Sequence, residues 1–333
     1  MARQPAIPTR SLRTGQPITE LGLGAAQFGN LFKETTDDES GHAVAAAVDE
    51  GISYFDTAPH YGLGLSEQRL GMALKETDRS SIVLSSKVGR LLVDSPASAD
   101  RLDDEGFIVP AERRRVWDFS RDGILRSVEE SLGRLGTDYL DIAYLHDPDD
   151  HWKSASSTGM AALIELREQG VVRAIGAGMN QSPMLTDFVR NTDVDVVMVA
   201  GRFTLLDQTA LADLLPIARE RGVGVVAAAI YNSGLLSSPT VDSSAHYDYG
   251  QASGGVLDRA RRIGEVCTRH GVSLPEAAVQ YPLRHPSVVS VVTGMRVAAH
   301  VRSTVDRYRA QIPDSLWEEL HESGLAPDPA RVD

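Results

Sequence analysis

An eightfold β/α barrel is the fold class that the sequence predicts, and three observations predict it. Eight short β-rich runs alternate along the chain with helix-length amphipathic stretches. Most of these runs are continuously apolar, as strands of a parallel sheet buried on both faces are. The rival architecture, an open doubly wound sheet, places G-x-G-x-x-G after its first strand, whereas "LGLGAAQFG" carries Gly22, Gly24 and Gly29 at another spacing. The 333 residues are therefore read as one α/β domain, residues 1–333, a (β/α)8 TIM barrel with an N-terminal hairpin and long loops on its C-terminal face.

The elements follow in order. Residues 9–20 read as a small hairpin around Thr14-Gly15, ahead of the first barrel strand at Leu21–Gly24. Thr36 with Glu39 three residues on is a capping box, opening a helix that ends near Gly51. Strands are expected at Ser53–Asp56, Ile82–Lys87 and Tyr139–His146. Between the last two, residues 88–119 form a long polar loop. A helix capped by Ser120 follows, with an apolar stripe of Ile124, Leu125, Val128, Leu132 and Leu135 and a stop at Gly136. Helices at Met160–Gln169 and Ala210–Arg221 stop at Gly170 and Gly222. The remaining strands are Val172–Gly178, Val194–Ala200, Val223–Ala229 and Val288–Thr293. Residues 234–253 are a second long segment, rich in Ser, Gly and Tyr. There is no internal repeat and no low-complexity tract.

A formal net charge of −13 argues against a general nucleic-acid or anionic-membrane binder. The single cysteine, Cys267, allows no disulfide within the chain, which suits a reducing compartment. It falls in a helical pattern and reads as a packed residue rather than a nucleophile. The stretch MARQPAIPTR has no apolar h-region, and no run approaches the about 18–20 apolar residues of a membrane span. The expectation is a cytoplasmic protein, monomer or homodimer, that acts on a small molecule.

In a β/α barrel, chemistry sits at the C-terminal ends of strands and in the loops after them. Asp56, Lys87 and His146 end strands there, and Tyr61 lies in the loop after Asp56. Singly, each has a mundane role as a turn, packing or exit residue. Together they have a chemical logic. An ammonium entering a crowded barrel mouth needs a partner, and Asp56 is the natural one. A phenol near its ordinary pKa of about 10 is a poor acid–base group at neutral pH. A neighbouring ammonium stabilises phenolate and is expected to lower that value. An imidazole beside the phenol can orient a substrate oxygen. Such a set suits proton transfer at a carbonyl or alcohol oxygen, and the accompanying hydride step implies a nicotinamide cofactor.

Over roughly residues 9–310 the chain resembles the aldo-keto reductase superfamily. The motifs are "YFDTAPHYGLGLSEQRLG" (54–71), "LSSKVG" (84–89), "SVEESLGRLGTDYLDIAYLHDPD" (127–149), "GVVRAIGAGMNQ" (170–181) and "VVTGM" (291–295). The resemblance places the family's catalytic tetrad on Asp56, Tyr61, Lys87 and His146. Within the superfamily, "VWDFSRDGILRSVEESLGRLG" (116–136), "VMVAGRFTLLDQ" (197–208) and "AAIYNSGLL" (228–236) look like the branch of aldose 1-dehydrogenases and pyridoxal 4-dehydrogenase. The implied reaction oxidises the anomeric C1 of an aldose such as L-fucose, L-galactose or D-arabinose to the lactone by hydride transfer, with Tyr61 as acid/base. The alternatives are a pyridoxal 4-dehydrogenase, an NADPH-dependent aldehyde or ketone reductase, or a cofactor-sensing, non-catalytic binding protein.

The resemblance also implies cofactor contacts, in a variant form. Met179 and Asn180 replace the usual Ser-Asn pair, Ala200 replaces a Gln, and Ala228 stands where a Tyr stacks on nicotinamide. Tyr231 and Asn232 are expected to take over part of that surface, and Ser233, Gly234 and Leu235 to clasp the pyrophosphate. Gly294 stands where NADPH-preferring relatives carry a Lys, which favours NAD, with NADP the alternative. Arg296, just before a helix expected near Val297, is expected to meet a 2′-phosphate or stack on adenine. Phe28, His60, Trp117, Phe119 and Trp152 form an expected aromatic rim for substrate. Asp147 and Asp149 either bind sugar hydroxyls or cap the next turn. A metal hydrolase would need several His ligands, and no H-x-H or H-x3–4-H spacing beside a strand supplies them, so no metal is expected.

Overall fold

Side chains alternate faces along a strand, so each apolar run of the sequence must serve two cores. In the computed structural model, which describes residues 6–248 and 250–331, the barrel strands are Leu21–Gly24, Tyr54–Asp56, Val83–Val88, Leu140–His146, Val172–Met179, Val196–Ala200, Gly224–Ala228 and Val288–Gly294. Each pairs in parallel with its chain neighbours, and the eighth closes on the first with Val291 opposite Leu21. Tyr54, Val83, Ile142, Tyr144, Ala174, Val196, Met198 and Val226 fill the interior. Leu12 and Ile18, from the hairpin of Thr9–Ser11 with Pro17–Thr19, close its floor. The alternate residues, Leu23, Phe55, Leu84, Leu145, Ile175 and Val197 among them, pack outwards against the helices.

The caps form as the sequence predicts. Glu39 N donates to Thr36 Oγ1 at 3.1 Å and Thr36 N donates to Glu39 Oε2 at 2.8 Å, opening the helix Asp37–Asp49. Ser120 Oγ accepts from Gly123 N, and the helix Arg121–Leu135 ends on left-handed Gly136.

Two expectations change. The helix placed at Ala210–Arg221 spans only Leu214–Arg221, after a 3-10 turn at Thr209–Leu211. Pro216 explains this, because proline has no N–H and clashes with the carbonyl four residues back, so it is tolerated only in a helix's first turn. Residues 88–119 are no plain loop. Arg90–Asp94 pairs with Arg113–Trp117 as an antiparallel hairpin standing on the mouth. In the 234–253 segment, His246–Tyr247 pairs with Gly250–Gln251. Met1–Pro5, the start of the stretch read for a secretion signal, lie outside the described residues, as does Tyr249. Among the described residues no helix is long and apolar enough to cross a membrane.

Candidate active site

Register builds the site. Asp56 pairs with Ser85, Lys87 with Tyr144, and His146 with Gly178, so Asp56, Lys87 and His146 crown the inner face one layer above Tyr54, Ser85 and Tyr144. Lys87 Nζ donates to Asp56 Oδ2 at 2.7 Å and to Thr57 O at 3.0 Å. The same ammonium lies 4.8 Å from the centroid of the Tyr61 ring, and the His146 ring lies 5.9 Å from it. A chain of hydroxyls supports the pair from below. Ser85 Oγ donates to Asp56 Oδ1 at 2.6 Å, Tyr54 Oη lies 3.1 Å from Ser85 Oγ, and Tyr144 Oη lies 3.3 Å from Tyr54 Oη.

The electrostatics follow from burial beside a fixed cation. Burial alone would push the Lys87 ammonium down, but Asp56 and Tyr61 overcome it and hold Lys87 above its ordinary value. Burial pushes the Tyr61 phenol up, against the pull of Lys87, so the phenol ends above its ordinary value. The expected lowering is thus outweighed by desolvation. Burial, then Arg90 and Lys87, keep His146 well below its ordinary value and therefore neutral. His60, desolvated beside Arg90 and Arg115, is pushed down to about 2.

At the same C-terminal mouth of the barrel opens a cleft of about 800 Å³. Asn180, Tyr231, Asn232, Ser233, Gly234, Gly294 and Arg296 line it, seven of the nine residues expected to touch the cofactor. Gln27, Arg202, Ala229, Tyr247 and Asp248 line it too, and the sequence had not singled them out. The wall after the seventh strand is tightly curled, with positive φ at Ala229, Asn232, Ser233 and Gly234. Such strain in residues other than glycine clusters at ligand sites. Three buried polar atoms of the lining, Gln27 Oε1, Asn232 Oδ1 and Thr293 Oγ1, have no partner among the described residues. Each carries a desolvation cost of about 1–3 kcal/mol until a ligand meets it. Volume, strain and orphaned polar atoms together fit a dinucleotide.

Several expected contacts lie elsewhere. Met179 follows inward-facing Gly178, so alternation turns its side chain into the outer core. Leu235 and Phe28 are buried in that same core. Trp152 packs edge-on against Phe188, with ring centroids 4.8 Å apart, behind the barrel wall. Phe119 is buried beneath Trp117, ring on ring. Arg296 lines the cleft, but its guanidinium donates to Leu31 O, Lys33 O and Thr35 Oγ1, so its donors tie down the loop after the first strand. Of the aromatic rim, His60 and Trp117 reach the mouth. Joining them are Arg90 and Arg115, which the sequence concealed in a polar loop. Arg115 donates to His60 O at 2.8 Å. A sequence signal existed in the apolar run Leu91–Val93 and in the β-branched and aromatic pair Val116-Trp117, masked by the arginines. Among the described residues no group of three His, Cys, Asp or Glu could hold a metal ion.

Comparison with known proteins agrees with this fold. A family model described as the aldo/keto reductase family matches residues 20–324. The chain is 46% identical to D-threo-aldose 1-dehydrogenase of Pseudomonas sp, covering 95% of this chain and 97% of that protein. It is 35% identical to pyridoxal 4-dehydrogenase of Microbacterium luteolum, covering 94% and 96%. An aldo-keto reductase from Bacillus halodurans in its holo form superposes with a TM-score of 0.75 at 26% identity, covering 98% of each chain. The chain thus belongs to the aldo/keto reductase family.

Proposed function

We propose that this oxidoreductase is an NAD-linked aldose 1-dehydrogenase, which oxidises the anomeric carbon of a free sugar to a lactone. One observation carries the reading: the Asp56–Lys87 ion pair lies against the Tyr61 ring, at the barrel mouth that also holds a cleft of dinucleotide size. The likeness to D-threo-aldose 1-dehydrogenase supports the substrate class.

When bound, a nicotinamide dinucleotide supplies the two-electron acceptor. Asn180, Asn232, Ser233 and Gly234 would hold it, with Gln27 and Thr293 also lining the cleft. The chain's own work is on the proton. Tyr61 takes the anomeric hydroxyl proton in oxidation and returns it in reduction. Lys87 stabilises the phenolate, which accepts the proton in oxidation and is left behind when the phenol gives it up in reduction, and Asp56 keeps Lys87 charged and fixed. His146, held neutral, keeps one ring N–H to orient the substrate oxygen. The preference for NAD rests on Arg296, whose Nη1 and Nη2 already donate to the 31–35 loop, and on Gly294, which brings no cation.

The test is a panel of L-fucose, L-galactose, D-arabinose and pyridoxal with NAD⁺ and with NADP⁺, read by absorbance of the reduced cofactor. Aldose turnover faster with NAD⁺ is expected. Turnover of pyridoxal alone would replace the substrate class, and equal or faster rates with NADP⁺ would remove the cofactor preference. Tyr61→Phe is expected to lose about 10²–10⁴-fold in kcat with cofactor still bound. Near wild-type turnover in that variant would remove the role of Tyr61.

A further inference from the structure

Arg90 and Asp147 stand beside the tetrad with no task in the chemistry above. Gly89, with φ of +98°, turns the chain sharply at the end of the third barrel strand, and a Cβ there would lie 2.2 Å from Phe119 Cε1. The turn swings Arg90 across the mouth, where its side chain is only 11% exposed. Its Nη2 donates to Asp147 Oδ2 at 2.5 Å, and its Nη1 lies 3.3 Å from His60 Nδ1. Its guanidinium carbon lies 4.3 Å from the centroid of the Trp117 ring, which is 41% exposed.

Asp147 is the residue after His146, and its Oδ2 lies 3.5 Å from His146 Nε2. Its backbone adopts φ of +40°. A left-handed non-glycine residue costs about 1–3 kcal/mol and persists where the surroundings impose it. Asp147 Oδ1 accepts no hydrogen bond from any described residue, and the side chain keeps 22% of its surface at the mouth. Asp149 is placed differently: it is exposed, with Oδ1 taken by Gln181 Nε2 at 2.7 Å, whereas Asp147 lies against His146.

Resting on the aldose reading given above, we propose that Arg90 and Asp147 form the subsite for the sugar hydroxyl next to the anomeric carbon. The free carboxylate oxygen accepts a hydrogen bond from that hydroxyl, the guanidinium edge donates to its oxygen, and the exposed part of Trp117 flanks the sugar ring. The charges of the pair cancel, so the subsite suits a neutral polyol rather than a sugar acid or sugar phosphate. A site whose buried polar groups pair with a hydroxyl discriminates strongly against the analogue that lacks it, because the groups are then left unpaired.

The experiment compares kcat and KM for the best aldose of the panel and for its 2-deoxy analogue, such as D-arabinose and 2-deoxy-D-ribose. It uses wild type, Asp147→Asn and Arg90→Lys, each checked for an unchanged circular dichroism spectrum. Wild type is expected to prefer the aldose by about 100-fold or more in kcat/KM, with the preference below about tenfold in both variants, mainly through KM. Asp147→Asn keeps the shape and tolerates the left-handed backbone, and Arg90→Lys keeps the charge but loses the fork, so either variant suffices if the other fails to fold. Equal losses on both substrates, with the preference intact, overturn the subsite and leave Arg90 as a tether of the hairpin. A wild type that reduces 4-nitrobenzaldehyde with NADH but oxidises no aldose overturns both the aldose reading and the subsite.

Discussion

Gly29 and Gly62 meet backbone to backbone: a Cβ on Gly62 would lie 2.4 Å from Gly29 O, and one on Gly29 would lie 2.5 Å from the carbonyl carbon of Tyr61. The loop that carries the phenol is thereby seated on the turn after the first barrel strand. Gly62 also needs φ of +63°, whereas Gly29 has no positive φ, so Gly29→Ala tests the contact without backbone strain. The methyl group must push Tyr61 outwards, and a misplacement of about 1 Å can cost about 100-fold in rate. Gly29→Ala is expected to lower kcat by about that factor and to change the cofactor Kd by less than about threefold. A variant with wild-type kcat would show that the contact does not position Tyr61.

The Asp56–Lys87 pair is a second target. Both side chains are almost wholly buried, so removing one partner strands the other, at a cost of about 3–5 kcal/mol. Asp56→Asn with Lys87→Met in one chain is therefore expected to unfold at higher urea than either single variant. Lys87→Met also removes the cation that favours phenolate. The Tyr61 pKa then rises further, and the ascending limb of the oxidation rate moves to higher pH. Reduction, which uses the protonated phenol, is expected to lose rate while its descending limb moves to higher pH as well. An oxidation profile that does not move would separate Lys87 from the phenol's titration.

Period-two alternation made the tetrad legible, because Asp56, Lys87 and His146 each end an apolar run and each faces inwards with residues two earlier in its strand. The same rule explains the misses. Met179 occupies the expected place along the chain, one residue past inward-facing Gly178, and so faces the helices. Trp152 follows the fourth strand in sequence, yet a helix start carries it behind the wall onto Phe188. Arg90 and Arg115 stayed hidden because arginines along a hairpin read as polar loop, although their apolar stems pack and only their heads seek partners. The role of Arg296 was legible only in three dimensions, since its acceptors lie more than 260 residues away.

The buried imidazoles set an acid limit on the fold. His60 is held down to about 2, His285 to about 4, and His146 well below its ordinary value, in each case chiefly by burial. The unfolded chain takes up protons at these groups as pH drops below about 6.5, and the folded protein does not. Their contribution is therefore complete above about pH 6.5 and is lost progressively below it, by up to about 1.4 kcal/mol per pH unit for each group. Tm is expected to drop between pH 7.5 and pH 5.0, and to drop less in His60→Gln. An identical drop in wild type and variant would rule out His60 as one of the groups responsible.

Asp141 lies at the opposite end of the barrel and predicts the opposite kind of variant. Its side chain is fully buried near the start of the fourth strand. Oδ2 accepts from Leu84 N at 2.9 Å and lies 2.7 Å from Arg79 Nη1, while Oδ1 accepts from Arg173 Nη1 at 3.1 Å. Both guanidinium carbons lie within 4.0 Å of the centroid of the Tyr139 ring. The carboxylate thus joins the third, fourth and fifth strands at the floor, on the barrel face that serves stability rather than chemistry. Asp141→Ala leaves the buried Leu84 N–H without its acceptor and takes the shared carboxylate from Arg79 and the half-exposed Arg173. It is expected to cost about 1–3 kcal/mol in urea unfolding, while kcat at 25 °C, per folded molecule, stays within about twofold of wild type. A fall in kcat with unfolding unchanged would mean that the floor is coupled to the mouth, and would contradict the division of labour that the barrel otherwise shows.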